Sequence, residues 1–237
     1  MNYTYLDCLA AFGVGGAHPG GLQLTKELLS REKIDETKSI LDAGCGTGQT
    51  SAYIAEQYRC QVTALDCNKI MLDKARKRFS SLHLPIEVKE GSTEILPFDK
   101  MVFDMILSES VMSFTDVSLT IPEFNRVLKP NGVLLAIEMV LEKSLSKKEL
   151  KPIVDFYGVT QLLTDKEWED LFKKSSFKQV IVEEFNLHLE ENDVQNATDF
   201  SVSENMDDKL FEILEKHENF TTVYKGIIGF RLFRCCI

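Results

Sequence analysis

At 237 residues, with 44% hydrophobic and 27% charged residues, the chain has the length for one well-buried α/β domain and little more. No run approaches the roughly 18 to 20 apolar residues that a membrane span requires, so no membrane partner is expected. A formal net charge of −10 opposes tight binding to a phosphate backbone, which needs clustered Lys and Arg, and nucleic acid is not expected as a substrate.

The stretch Met1 to Asp7 lacks the positive charge and long apolar core of a secretory signal, which makes the cytoplasm the expected compartment. Gly13, Gly15, Gly16, Gly20 and Gly21 surround His18-Pro19. Gly-rich backbone can hinge, so residues 1–38 read as a mobile N-terminal cap with a lid helix over Leu22 to Leu29. Ile40-Leu41 is a short buried strand, and Gly44, Gly46 and Gly48 make a tight turn into a helix carried by the apolar period of Thr50 to Tyr58. Glycine at a strand-to-helix turn lets the backbone approach a ligand. Gln61 to Asp66 is a second strand, and Asp66, 18 positions after Gly48, lies where a carboxylate accepts both hydroxyls of a ribose. The unit is a βαβ nucleotide-type cofactor site. An NAD site would place a third glycine of G-x-G-x-x-G where this chain has Gln49, which disfavours an oxidoreductase.

Asn68 caps a predicted helix from Lys69 to Phe79, followed by strands over Pro85 to Lys89, Met101 to Leu107 and Val133 to Ile137, the last entered through the turn Lys129-Pro130-Asn131-Gly132. Apolar strands alternating with helices indicate a parallel sheet covered on both faces. The basic run Lys143 to Lys151, broken by Glu149, reads as a solvated surface connection. A helix from Thr164, a strand over Phe177 to Val182 and a last strand over Gly226 to Phe233 complete the pattern. Between the last two strands, 186–222 is rich in Asp, Glu and Asn and carries a predicted helix from Asp207 to His217. Six cysteines show no C-x-x-C pair and no His partners at zinc-ligand spacing, so no metal site is indicated. Cys45 and Cys67 read as small residues beside the cofactor, and the vicinal Cys235-Cys236 carries no assigned role.

Asp42-Ala43-Gly44-Cys45-Gly46-Thr47-Gly48 resembles motif I of the class I S-adenosylmethionine (SAM) dependent methyltransferases. The resemblance continues through Asp66-Cys67-Asn68, Gly91 to Phe98, Phe103 to Glu109 and Arg126 to Gly132, over roughly residues 20 to 140, and is nearest to the small-molecule branch that includes ubiquinone-biosynthesis-like enzymes. It implies a Rossmann-like, doubly wound seven-stranded sheet of order 3-2-1-4-5-7-6, with strand seven antiparallel and an N-terminal helical cap. On this pattern 1–237 is a single domain: a cap (1–38), a cofactor-binding core (39–140) and a C-terminal part (141–237), with 186–222 as an insertion near the sheet edge. The implied activity is methyl transfer from SAM to a small-molecule acceptor by in-line displacement, with S-adenosylhomocysteine (SAH) as product.

The same resemblance lays adenosine across Gly44, Gly46 and Gly48, ribose on Asp66 and adenine between Cys67, Met71 and the Ser92-Thr93 backbone. Asp42, Cys45, Gln49 and Ser108 would stand near the loop or the methionine end. Members often carry Asp where this chain has Ser92. If the acceptor has a proton to lose, the candidate bases are Glu109, His18 and Tyr157, with Glu138 behind them. Met112 and Phe114 would wall the pocket or the core. A catalytically silent SAM-binding module, docking a partner through 186–222, is the reading from another class.

Overall fold

The computed structural model describes residues 3–185, 199–204 and 206–237. In chain order these form α1 (Tyr5–Phe12), α2 (Gly21–Ser30), β1 (Ser39–Ala43), α3 (Gln49–Tyr58), β2 (Gln61–Asp66), α4 (Lys69–Ser81), β3 (Glu87–Glu90) and β4 (Phe103–Glu109). A 3₁₀ turn at Met112–Phe114 leads to α5 (Val117–Val127), β5 (Leu128–Leu141), α6 (Lys147–Tyr157), α7 (Asp165–Lys174), β6 (Gln179–Glu183), α8 (Asp208–Val223) and β7 (Ile228–Cys236). The seven strands form one sheet of order β3-β2-β1-β4-β5-β7-β6. All neighbours pair in parallel except β7, which runs antiparallel to both β5 and β6. This is the expected doubly wound order.

Each central strand is buried on both faces, so successive residues feed opposite cores. Ile40, Val62, Leu107 and Leu135 pack with Leu29 of α2 and Ile54 of α3. On the opposite face Leu41, Leu65, Ile106 and Leu134 pack with Ile121 and Phe124 of α5 and Trp168 and Phe172 of α7. The Trp168 indole Nε1 donates to the Met139 carbonyl, 3.1 Å away, which satisfies its one polar group inside that core.

Four expectations are corrected. The Leu22 to Leu29 helix is not a lid: Leu24 and Leu28 are buried against Ile137 and Leu232 of the sheet, so α2 is a layer of the core. Lys143 to Lys151 is not a plain surface connection, because Ser146 and Glu149 form a capping box that starts α6. Residues 129–132 are no simple turn but an irregularity within β5, where the register against β4 jumps from Phe103↔Leu128 to Met105↔Val133. The 186–222 stretch lies outside the described residues over 186–198 and at 205. Its described part does not stay at the sheet edge: Phe200 bridges Val14 and α8 packs on α1 through Leu210, Cys8 and Phe12.

Candidate active site

The carboxyl ends of β1, β2 and β4, where the winding reverses, open into a cavity of about 720 Å³. Its wall includes Asp42, Gly44, Cys45, Gly46, Gln49, Asp66, Cys67, Met71, Ser92 and Thr93, the expected cofactor residues other than Gly48 and Ser108. Gly48 instead faces Phe79 and Ala75 on α4. Ser108 is fully buried inside the sheet, its hydroxyl without a partner. Thr47 and Thr50, which the sequence reading passed over, also line the cavity.

Asp66 ends β2 and holds the glycine loop to it: one oxygen accepts from Gly46 N at 2.9 Å and the other from Asn68 N at 2.8 Å. Each carboxylate oxygen can accept a further hydrogen bond, and Asp66 lines the cavity. Burial raises the Asp66 pKa, and its backbone donors oppose that rise. Asp42 accepts from Ser51 Oγ at 2.5 Å and is pushed up to about 7, first by burial and then by the nearby Glu109.

Glu109, at the end of β4, joins three elements. It accepts from Thr25 Oγ1 of α2 at 2.5 Å and from Thr50 Oγ1 of α3 at 2.9 Å, and lies 3.4 Å from His18 Nε2. The two side chains are 7% and 2% exposed. His18 Nδ1 faces the Pro19 carbonyl at 3.1 Å. Both ring nitrogens are thus occupied by partners within the protein, so Glu109 and His18 form a wall of the cavity with no ring nitrogen left for an acceptor. Glu138 is equally committed. It accepts from the backbone N–H of Val111, Met112 and Ser113 and from Ser113 Oγ, and burial pushes it up to about 7. It shapes the β4–α5 turn and leaves the cavity to others. Met112 is fully buried in the core, and Phe114 lines the cavity.

Tyr157, the third candidate base, closes the far half of the same cavity. Its hydroxyl lies 3.1 Å from Nδ1 of His217, a residue the sequence reading did not single out. Tyr5 stands edge-on to Tyr157 at 5.0 Å between centroids, and Phe156, Phe220 and Tyr224 continue the aromatic cluster. Burial raises Tyr157 to about 12 and lowers His217, so both are uncharged near neutral pH.

A strap over 199–203 runs along the 11–15 segment, and its Phe200 lines the cavity. Gly15 N donates to Asp199 O, Ser201 N to Gly13 O and Ser203 N to Ala11 O. A Cβ on Gly15 would strike the Asp199 carboxylate, so the strap approaches this glycine closely. Arg78 of α4 pairs with Asp199 at 2.7 Å and donates to Thr47 O at 2.9 Å. Lys74 donates to the carbonyls of Ala11 and Ser201.

A sheet of this order, with a glycine loop and a strand-end acid at its reversal point and an aromatic region in the same cavity, defines a Rossmann-like protein with a nucleotide-type cofactor site. Comparison with known proteins gives the family. Residues 40–132 match the family model described as a methyltransferase domain. The chain is 38% identical over 229 residues to the uncharacterized methyltransferase YodH of Bacillus subtilis, covering 97% of both. It is 33% identical to demethylmenaquinone methyltransferase of Chlorobaculum tepidum, over 74% of this chain and 68% of that one. The structure of Haemonchus contortus phosphoethanolamine N-methyltransferase 2 in complex with SAM superposes with a TM-score of 0.77 at 18% identity, over 99% of this chain and 57% of that one. The chain belongs to the class I SAM-dependent methyltransferases. As a member of that family it transfers a methyl group from SAM and releases SAH.

Proposed function

We propose that SAM is held in the strand-end half of the cavity and that the acceptor enters the aromatic half. The observation that carries this reading is continuity: one cavity runs from Asp66 and the glycine loop to Tyr157 and His217. The donor set suits the cofactor. Asp66 offers acceptors to ribose hydroxyls, Gly46 leaves its cavity side open, Met71 and Cys67 give an apolar edge for adenine, and Gln49 Oε1 is a buried acceptor with no partner, suited to an ammonium group. When bound, SAM supplies a methyl group already activated on a sulfonium. The residues' task is therefore alignment, worth roughly 7 to 11 kcal/mol of barrier when the reacting atoms are well oriented. Glu109 contributes by tying α2, α3 and the His18 loop into one wall, and Tyr157 and His217 meet the acceptor's polar end.

The Lys- and Arg-free lining and the net charge of −10 both speak for a small molecule and against nucleic acid. Six free thiols suit the reducing cytoplasm. The test is calorimetric titration of SAH into wild type and Asp66→Ala. Loss of charged-acceptor bonds to two hydroxyls costs on the order of 2 to 4 kcal/mol, about 30-fold to 1,000-fold in Kd. A loss below about tenfold, in a variant that keeps its thermal midpoint, would place the ribose elsewhere.

A further inference from the structure

The aromatic half of the cavity has an unusual electrostatic character. Its walls come from α1, the 3₁₀ turn before α5, the end of α6, α8 and the start of β7, through Tyr5, Phe114, Phe220, Tyr224 and Phe230 among others. No Lys or Arg lines the cavity among the described residues, and positions 1, 2, 186–198 and 205 contain none in sequence. The lining residues contributed by α1, α6 and α8 include no Asp or Glu either. Among the described residues the carboxyl groups of the cavity are Asp42, Asp66 and Glu109, which stand at the strand ends and are engaged with Ser51, with Gly46 and Asn68, and with Thr25 and Thr50. Lys216 is exposed and lies over the rings of Phe156 and Phe220 without lining the chamber.

We propose that this chamber selects an uncharged acceptor, a molecule with an apolar body and one hydrogen-bonding group, held between aromatic rings with its polar group on the Tyr157–His217 pair. A phosphate or carboxylate there would lose its hydration with no cation to replace it, and a buried unpaired charge is strongly disfavoured. A cationic acceptor would find ring faces but, among the described residues, no carboxylate in that half, beside a cofactor that is itself a cation. An uncharged acceptor loses nothing of this kind. Its apolar body meets rings, and its polar group meets the Tyr157–His217 pair. The mouth fits the same chemistry, because Leu6 and Phe200 line the cavity while remaining 42% and 59% exposed. Of the substrates in the names of the relatives reported above, demethylmenaquinone carries neither a phosphate nor a carboxylate and fits this selection, whereas phosphoethanolamine carries a phosphate and does not.

The inference rests on the proposed placement of the cofactor, and the experiment separates the two. Protein is first titrated with SAH, and the loaded protein is then titrated with three compounds of one shape, 2-naphthol, 2-naphthoate and 2-naphthyltrimethylammonium. The expected result is binding of 2-naphthol at least about tenfold tighter than either charged analogue. Thr221→Lys, an exposed lining position on α8, places a cation in the wall and is expected to move the preference toward 2-naphthoate by about tenfold or more. His217→Gln, which can still bond the Tyr157 hydroxyl, is expected to keep 2-naphthol binding within about threefold, whereas His217→Leu loses about tenfold. Equal or tighter binding of 2-naphthoate or of the ammonium by wild type overturns the proposal. So does SAH binding without 2-naphthol binding. Failure of SAH itself to bind overturns the cofactor placement and this inference with it.

Discussion

Gly46 and Gly48 lie in one loop, both with positive φ, at +52° and +76°, and they serve different ends. A Cβ on Gly46 meets no atom within 4 Å and projects into the cavity, whereas a Cβ on Gly48 strikes the Phe79 ring of α4. A left-handed conformation costs an L-residue roughly 1 to 2 kcal/mol in either case, and forced overpacking adds roughly 1 to 3 kcal/mol at Gly48 alone. Gly46→Ala is therefore expected to stay folded, with a thermal midpoint lower by only a few degrees, but to bind SAH at least about tenfold more weakly. Gly48→Ala is expected to lose on the order of 10 °C. Scanning calorimetry and SAH titration of the two variants check this, and wild-type SAH affinity in Gly46→Ala would rule out the loop as the cofactor cradle.

Among the elements, the strap over 199–203 has the weakest local reasons to stay where it is: three backbone hydrogen bonds to the 11–15 segment and two basic side chains of α4. Arg78 ties Asp199 of the strap to Thr47 of the glycine loop, so the strap and the loop are mechanically linked. Removing hydrogen bonds to a charged group costs roughly 1.5 to 3 kcal/mol, and such losses fall mostly on dissociation. Arg78→Ala should release SAH about tenfold faster, with association nearly unchanged, in stopped-flow displacement. An unchanged release rate would show that the strap does not hold the cofactor in. Legibility also divides by element. The β1–α3–β2 unit was readable because all its determinants are local: an apolar pair, alternate glycines, a helical period and a strand-end acid. The eight residues of α1 are too short and too apolar to show a period, although the Thr4–Asp7 capping box was a usable signal. The same holds for α6, where Pro152 and a basic run obscured the Ser146–Glu149 box. His217 was invisible as a partner of Tyr157 because the two are 60 residues apart and meet only when α1, α6 and α8 pack. Its one trace in the sequence is a histidine on the apolar stripe of Leu210, Leu214, Phe220 and Tyr224.

At the scale of the whole molecule, the two cores share every central strand, so the chain is expected to unfold as one cooperative unit, and two carboxyl groups buried in its middle set how that unit responds to pH. Asp42 and Glu138 are both pushed up to about 7 by burial, and burial raises Asp66 as well. An acid with a raised folded-state pKa binds its proton more tightly folded than unfolded, so its contribution is most favourable below the unfolded pKa. It is lost as pH climbs from about 4 to about 7, by up to roughly 3 to 4 kcal/mol for each of the two. The paired carboxylates run the other way: Lys129 holds Asp104 low, Arg126 holds Glu123 low and Arg231 holds Glu142 low, so their stabilisation is lost only on acidification below about 4.5. His217, lowered by burial, adds stability as pH rises toward its ordinary value and partly opposes the fall. The net expectation is greatest stability near pH 5 and a decline toward pH 7, read as the midpoint of urea unfolding at pH 5, 6 and 7. Asp42→Asn retains an amide oxygen for the Ser51 hydroxyl and removes the titrating group, so its midpoint should decline less steeply than that of wild type over the same interval. A wild-type midpoint that stays level or rises from pH 5 to 7, or an Asp42→Asn profile parallel to wild type, would show that Asp42 enters the folded state ionised.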